Sequence, residues 1–183
     1  MNFASRDFRN ALGMFPTGVT VITGIGRRGQ PIGVTANSFS SVSLDPPLIS
    51  FNIARTLASF EDLLTMESFA VNLLTEAQSE VSTGFARANS DKWACTDSRP
   101  GHTGNPVIVP HLAVFECARF AIHEAGDHML IVGRVLHFQF DENERPLVFF
   151  RGSYRGVGGP VAGTEQVKSQ AATRGGAPDS HHI

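Results

Sequence analysis

The chain has 183 residues, 42% of them apolar and 17% charged, with a net charge of −2 and a pI near 6.4. That length suits one domain burying roughly 70% of its unfolded surface, and without a basic excess nucleic acid has no electrostatic foothold. Two cysteines, Cys95 and Cys117, are too few and too far apart for a disulfide framework or a CxxC pair, so two reduced thiols are expected.

The opening "MNFASRDFRNALG" puts charges where a signal peptide needs an apolar core, and no apolar run approaches about 18 residues, so a cytoplasmic protein is expected. Phe8, Ala11, Leu12 and Phe15 share one helical face, which predicts a short helix over 5–15 with Ser5 as cap and Pro16 as stop. The period then changes. Residues 18–23, 31–38 and 47–53 are rich in β-branched and aromatic residues between Gly, Pro and Asp, and read as strands. Leu57, Phe60 and Leu64 predict a helix over 56–65 with Thr56 as a candidate N-cap. "SFAVNLL" reads as a strand, and "EAQSEVSTGFARA" as a helix followed by an irregular stretch to Pro106. Long strands are expected over 111–124 and 128–140, joined at "AGD". The second is apolar at both parities, which predicts burial on both faces. "PLVFFRGSY" reads as one last strand, and residues 157–183 as a mobile tail after a single domain over 1–156. Short turns between most strands, with few helices, argue for a closed, mainly antiparallel barrel with peripheral helices rather than a doubly wound parallel sheet.

"GIGRRG", residues 24–29, has the spacing of a dinucleotide-binding turn. Such a turn must open a helix, with a carboxylate about 20 residues on. Here strand-like "QPIGVT" follows, and the later position falls in "PPLISFN", so a hairpin loop is expected instead. The stretch "GVTANSFSSVSLDPP", residues 33–47, offers small residues, approachable backbone and many hydroxyls. Two readings of it stand: a surface for a flat polar ring or a phosphate, and an edge strand with exposed hydroxyls. The histidines show no HxxxH spacing and no nearby Cys pair, so no metal site is expected.

"FPTGVTVIT", the 33–53 segment, "SFAVNLL", "FARANSDKW" and "GDHMLIVGRV…PLVFFRGSY" occur in one order over residues 5–156. Together they resemble the short-chain flavin reductases, the reductase components of two-component flavin monooxygenases. The resemblance implies an FMN-binding split β-barrel, antiparallel and Greek-key-like, usually a homodimer. It implies an NAD(P)H:flavin oxidoreductase that reduces FMN or FAD with NADH or NADPH and hands reduced flavin to a separate oxygenase. It places Thr35, Ala36, Asn37 and Ser38 against the isoalloxazine ring, and Phe51, Asn52, Ile53 and Ser59 along the ribityl chain and phosphate. Phe85, Ala86 and Lys92 match further flavin contacts, His128 of "GDH" stands beside the nicotinamide, and Tyr154 and Arg155 contact cofactor or nicotinamide nucleotide. A non-enzymatic flavin carrier, or an enzyme with permanently bound FMN, is the alternative on the same barrel.

Overall fold

The structure is a computed structural model that describes residues 4–88, 91–94 and 96–159. Cys95, Asn89 and Ser90 of the "FARANSDKW" motif, and the tail from 160 onward lie outside the described residues. The chain opens with α1 (Ser5–Leu12), which ends at Gly13 rather than running on to Phe15. Then come β1 (Thr17–Gly18), β2 (Thr20–Ile25), β3 (Pro31–Ala36), β4 (Ser40–Leu44) and β5 (Pro47–Ala54). The next elements are α2 (Phe60–Thr65), β6 (Ser68–Leu73), a 3₁₀ turn at Glu76–Gln78 and α3 (Ser79–Ala86). The remainder is β7 (Ser98–Pro100), β8 (Pro106–Ile108), β9 (Ala113–Ala125), β10 (His128–Phe140), β11 (Val148–Phe150) and β12 (Ser153–Arg155).

Seven strands form one sheet in the order β3-β2-β6-β9-β10-β5-β4, every neighbouring pair antiparallel, so the fold is mainly β with few helices, as expected. The sheet curls around a core in which Ile22, Phe51, Ile53, Phe69, Val71 and Ile131 are all but excluded from solvent. Phe51 and Phe69 meet edge to face at 5.1 Å, near the centre of that core.

"GIGRRG" is a hairpin loop: Ile25 pairs with Pro31, the Gly26 N–H donates to Gln30 O at 2.8 Å, and β3 follows where a dinucleotide turn needs a helix. The 33–47 segment is two strands and not one. It breaks at Asn37–Phe39, where the Ser38 hydroxyl accepts the Asn52 N–H at 2.9 Å, and resumes as β4 on the sheet edge. The last strand also folds back on itself, because Arg151 and Gly152 both take positive φ and turn β11 into β12. The candidate cap Thr56 lies before the helix; Ser59 is the N-cap of α2. β7 and β8 pair within the stretch expected to be irregular. β10 is buried at Met129 and from Ile131 to Gly133, with Leu130 half-buried, and its burial then fails. Leu136, Phe138 and Phe140 are 54%, 57% and 62% exposed, because the strand runs past the end of the core.

Candidate nucleotide-binding cleft

The site lies along β3, which is an edge strand and has an open side. Pro31 O accepts Trp93 Nε1 at 3.3 Å and Gly33 O accepts Lys92 Nζ at 2.9 Å, so alternate backbone groups face that side. By the two-residue alternation of an antiparallel ladder, the N–H groups of Gly33 and Thr35 point the same way. Sheet geometry thus supplies fixed donors without any side chain.

Two neighbouring lobes flank this edge. One, of about 340 Å³, is lined by Val34 to Ser38, Asn52, Ala54, Leu57, Ala125 and His128. The other, of about 420 Å³, takes Pro31 to Val34, Thr56 to Ser59, Asp62, Phe85 to Ala88 and Asp91 to Trp93. Val34 and Leu57 belong to both, making an apolar waist between polar ends. From Asn37 to Pro31 the strand edge runs about 20 Å at 3.3 Å per residue. Volumes of this size, apolar in the middle and polar at the ends, suit a heteroaromatic ring on a polar, phosphorylated chain.

In the first lobe, Thr35 and Ser38 spend their hydroxyls within the chain. Thr35 Oγ1 donates to Ser82 O at 2.6 Å and Ser38 bridges to the Asn52 backbone, while the Asn37 carboxamide is exposed and makes no hydrogen bond among the described residues. His128 begins β10 immediately after the Gly126-Asp127 turn, where Gly126 takes φ 63° as the tight reversal requires. Its Nδ1 lies 2.6 Å from Asp127 Oδ1. That hydrogen bond holds the Asp127 carboxyl below its ordinary range.

In the second lobe, Lys92 Nζ donates to Gly33 O and to Phe85 O (3.2 Å), tying β3 to the end of α3. Burial pulls its ammonium pKa down from the ordinary value. Phe85 is fully buried and carries Trp93 edge-on at 5.0 Å. Asp62 reaches the lobe from α2 and is held by the "GIGRRG" loop: the Arg27 N–H and Nε both donate to its Oδ1. The Arg27 N–H bond, opposed by partial burial, lowers its pKa.

The structure therefore gathers Thr35, Ala36, Asn37, Ser38, Asn52 and His128 in one lobe, and Ser59, Phe85, Ala86 and Lys92 in the other. It does not bring Phe51 or Ile53 there. Strand alternation turns Asn52 to the cleft and sends its neighbours into the core, where they are 0% and 1% exposed. Tyr154 lies across α3, its hydroxyl 2.8 Å from Ser82 Oγ, and Arg155 lines neither lobe. Trp93, Thr56 and Leu57 line the cleft as well, and of these only the aromatic after Lys92 carries a signal in the sequence. Among the described residues no His, Cys, Asp or Glu cluster suits a metal. Cys117 is buried and its thiol is pushed up to about 12 by burial and the nearby Glu116 carboxylate, so it is no nucleophile.

The fold is a mainly β, antiparallel barrel with a two-lobed cleft along its edge strand. The chain matches the family described as "Flavin reductase like domain" over residues 12–158, and it belongs to that family. It is 45% identical over 152 residues to a "Probable flavin reductase" of Rhizobium meliloti, covering 83% of this chain and 49% of that protein. The chain thus spans about half that relative's length. It is 39% identical over 154 residues to the reductase subunit of a flavin-dependent monooxygenase of Mycobacterium tuberculosis, covering 83% of this chain and 82% of that one. Among solved structures, an NADH:FAD oxidoreductase from Streptomyces globisporus, in complex with NAD and FAD fragments, superposes with a TM-score of 0.80 at 32% identity, covering 88% and 99% of the two chains.

Proposed function

We propose that the chain is an NAD(P)H:flavin oxidoreductase that reduces FMN or FAD and releases it to a separate flavin-dependent monooxygenase. The observation that carries this reading is the pair of neighbouring lobes along an open strand edge, one lined by Asn37, Asn52 and His128 and the other by Ser59 and Lys92. Family membership supports it, and so do relatives named as reductase subunits of monooxygenases. A flavin held here supplies the acceptor for a hydride from the nicotinamide ring. The chain contributes position and charge. The Thr35 N–H and the Asn37 carboxamide offer donors to the pyrimidine end of the ring, where negative charge develops. His128 faces the nicotinamide and orients it, and Ser59 and Lys92 take the phosphate. Phe51 and Ile53 act from behind, fixing the strand that presents Asn52. Tyr154 acts through Ser82 and α3, whose Ser82 carbonyl receives Thr35.

We assign the exposed stripe of Phe120, Leu136, Phe138 and Phe140 to a homodimer contact, since an apolar face of this kind on a soluble chain marks an interface. Among the described residues no helix is long and apolar enough to cross a membrane. The test is NADH or NADPH oxidation followed by absorbance while free FMN or FAD is varied. Rates that saturate with added flavin support the proposal; oxidation with neither nucleotide at any flavin concentration removes it.

A further inference from the structure

We propose that Arg27 is a specificity-determining residue, a counter-charge set outside the cleft that lets the second lobe hold a phosphate. The inference rests on the reading of that lobe as the phosphate end of a flavin site and deepens it. It starts from "GIGRRG", whose arginines sit on a hairpin loop and line neither lobe.

Charge within the second lobe is divided. Two carboxylates, Asp62 and Asp91, line it together with two cations, Arg87 and Lys92. Asp62 lies three residues past Ser59, so the two are neighbours at the start of α2, and the Ser59 hydroxyl makes no cap hydrogen bond there. An ionised carboxylate beside that hydroxyl repels a phosphate. Protonation does not relieve the repulsion at neutral pH. The Arg27 N–H bond, opposed by partial burial, holds the Asp62 carboxyl below its ordinary range.

The hairpin supplies the offset from behind. Asp62 also lines a separate cavity of about 400 Å³, shared with Arg27, Arg28 and Gln30. From that side the Arg27 N–H and Nε donate to Oδ1 at 3.0 and 3.2 Å, and Gln30 Nε2 donates to Oδ2 at 3.4 Å. The Arg28 N–H donates to Gln30 Oε1 at 3.0 Å, which turns that amide towards the carboxylate. The Arg27 side chain is 59% exposed, so its ion pair adds little to stability. α2 has other anchors: Leu63 is buried, and Arg119 Nη1 donates to Leu64 O at 2.9 Å. The consequence of the guanidinium therefore falls on what the lobe binds rather than on the fold.

FMN and riboflavin differ by the phosphate alone, so their affinity ratio for the full chain, measured by calorimetric titration, isolates this effect. The wild-type chain should bind FMN more tightly than riboflavin. Arg27→Ala, which keeps the backbone bond to Asp62, should weaken FMN by about threefold to fivefold, the upper range for a partly exposed charge pair, and leave riboflavin unchanged. Arg27→Lys keeps the charge and should restore most of the preference. Asp62→Asn removes the charge to be offset and should bind FMN at least as tightly as wild type; adding Arg27→Ala to it should cost nothing more. Equal loss of FMN and riboflavin in Arg27→Ala overturns the proposal, because the arginine then supports the fold alone. An unchanged ratio in Arg27→Ala overturns it as well, and so does weaker FMN binding in Asp62→Asn. A wild-type chain with no preference for FMN overturns it together with the phosphate reading of Ser59 and Lys92. Binding is read without turnover, so a chain that loses the preference in Arg27→Ala but oxidises no NADH keeps this role for Arg27 and loses the reductase reading.

Discussion

Replacing Gly33 with Ala is expected to strain the wall of the cleft. The added methyl would lie 2.4 Å from Cε1 and 2.7 Å from Cδ1 of Phe85, with Ile22 O at 3.4 Å. Carbon atoms settle at about 3.5–4.0 Å, so strand or ring must move by roughly an ångström. The ring has little room to do so, being 0% exposed and backed by Trp93. Overpacking of this kind costs about 1–3 kcal/mol, and each kcal/mol lowers Tm by about 2–4 °C in a domain of this size, so a fall of roughly 2–12 °C is expected. Because Gly33 O also receives Lys92, the same displacement should loosen flavin binding. Gly84→Ala in α3 is the matched control. Its new methyl meets nothing within 4 Å, and helix propensity then favours Ala by about 0.5–1 kcal/mol. Calorimetric melting and flavin titration of both variants check this. A Gly33→Ala protein with unchanged Tm, or a Gly84→Ala protein that falls as far, refutes the close-approach argument.

Three more outcomes are expected. His128→Ala should lower kcat/KM for NADH by about tenfold or more while flavin Kd holds, measured by steady-state kinetics beside a flavin titration; an unchanged kcat/KM removes His128 from the site. Glu116 is 2% exposed, and burial pushes its carboxyl up, but hydrogen bonds from the Thr103 and His102 N–H groups outweigh that and hold it below its ordinary value. Its stabilisation is therefore present above the unfolded glutamate pKa and lost as pH falls through the lower folded value; Glu116→Gln should melt lower at neutral pH with a flatter acid limb, and parallel pH–Tm curves would refute this. The proposed homodimer contact predicts that the wild-type chain is a dimer in light scattering and that Phe138→Asp is a monomer; a wild-type chain that is monomeric at high concentration contradicts the interface.

Much of the fold was legible because helical spacing, β-branched runs and turn residues are local features of the sequence. β-Branched and aromatic runs between Gly, Pro and Asp marked β2, β3 and β5, long apolar runs marked β9 and β10, and the residues after "GIGRRG" excluded a helix on local grounds. What stayed hidden depends on distant partners. Nothing local announces that Ser38 will bond Asn52 and break the 33–47 strand, or that Arg151 will adopt φ 50° and reverse the last one. Buried Asn72, whose carboxamide joins Val21 O, Thr23 Oγ1 and the Ile108 N–H, looks in sequence like one polar residue in an apolar strand. The cleft follows the same rule. The 35–38 run and His128 were visible as motifs, but the inward turn of Phe51 and Ile53 needed strand parity, and Trp93 needed the fold that sets it beside Pro31. The apolar outer half of β10 was visible too, but its exposure was not, since periodicity cannot say where a core ends.

The most direct test of the reductase reading is anaerobic mixing of the chain with NADH and a large excess of free FMN or FAD, following loss of oxidised-flavin absorbance. The account predicts that each chain reduces many equivalents of flavin, because the flavin enters and leaves a cleft on an open edge. Reduction that stops at one equivalent per chain, or does not begin with either nicotinamide nucleotide, contradicts it.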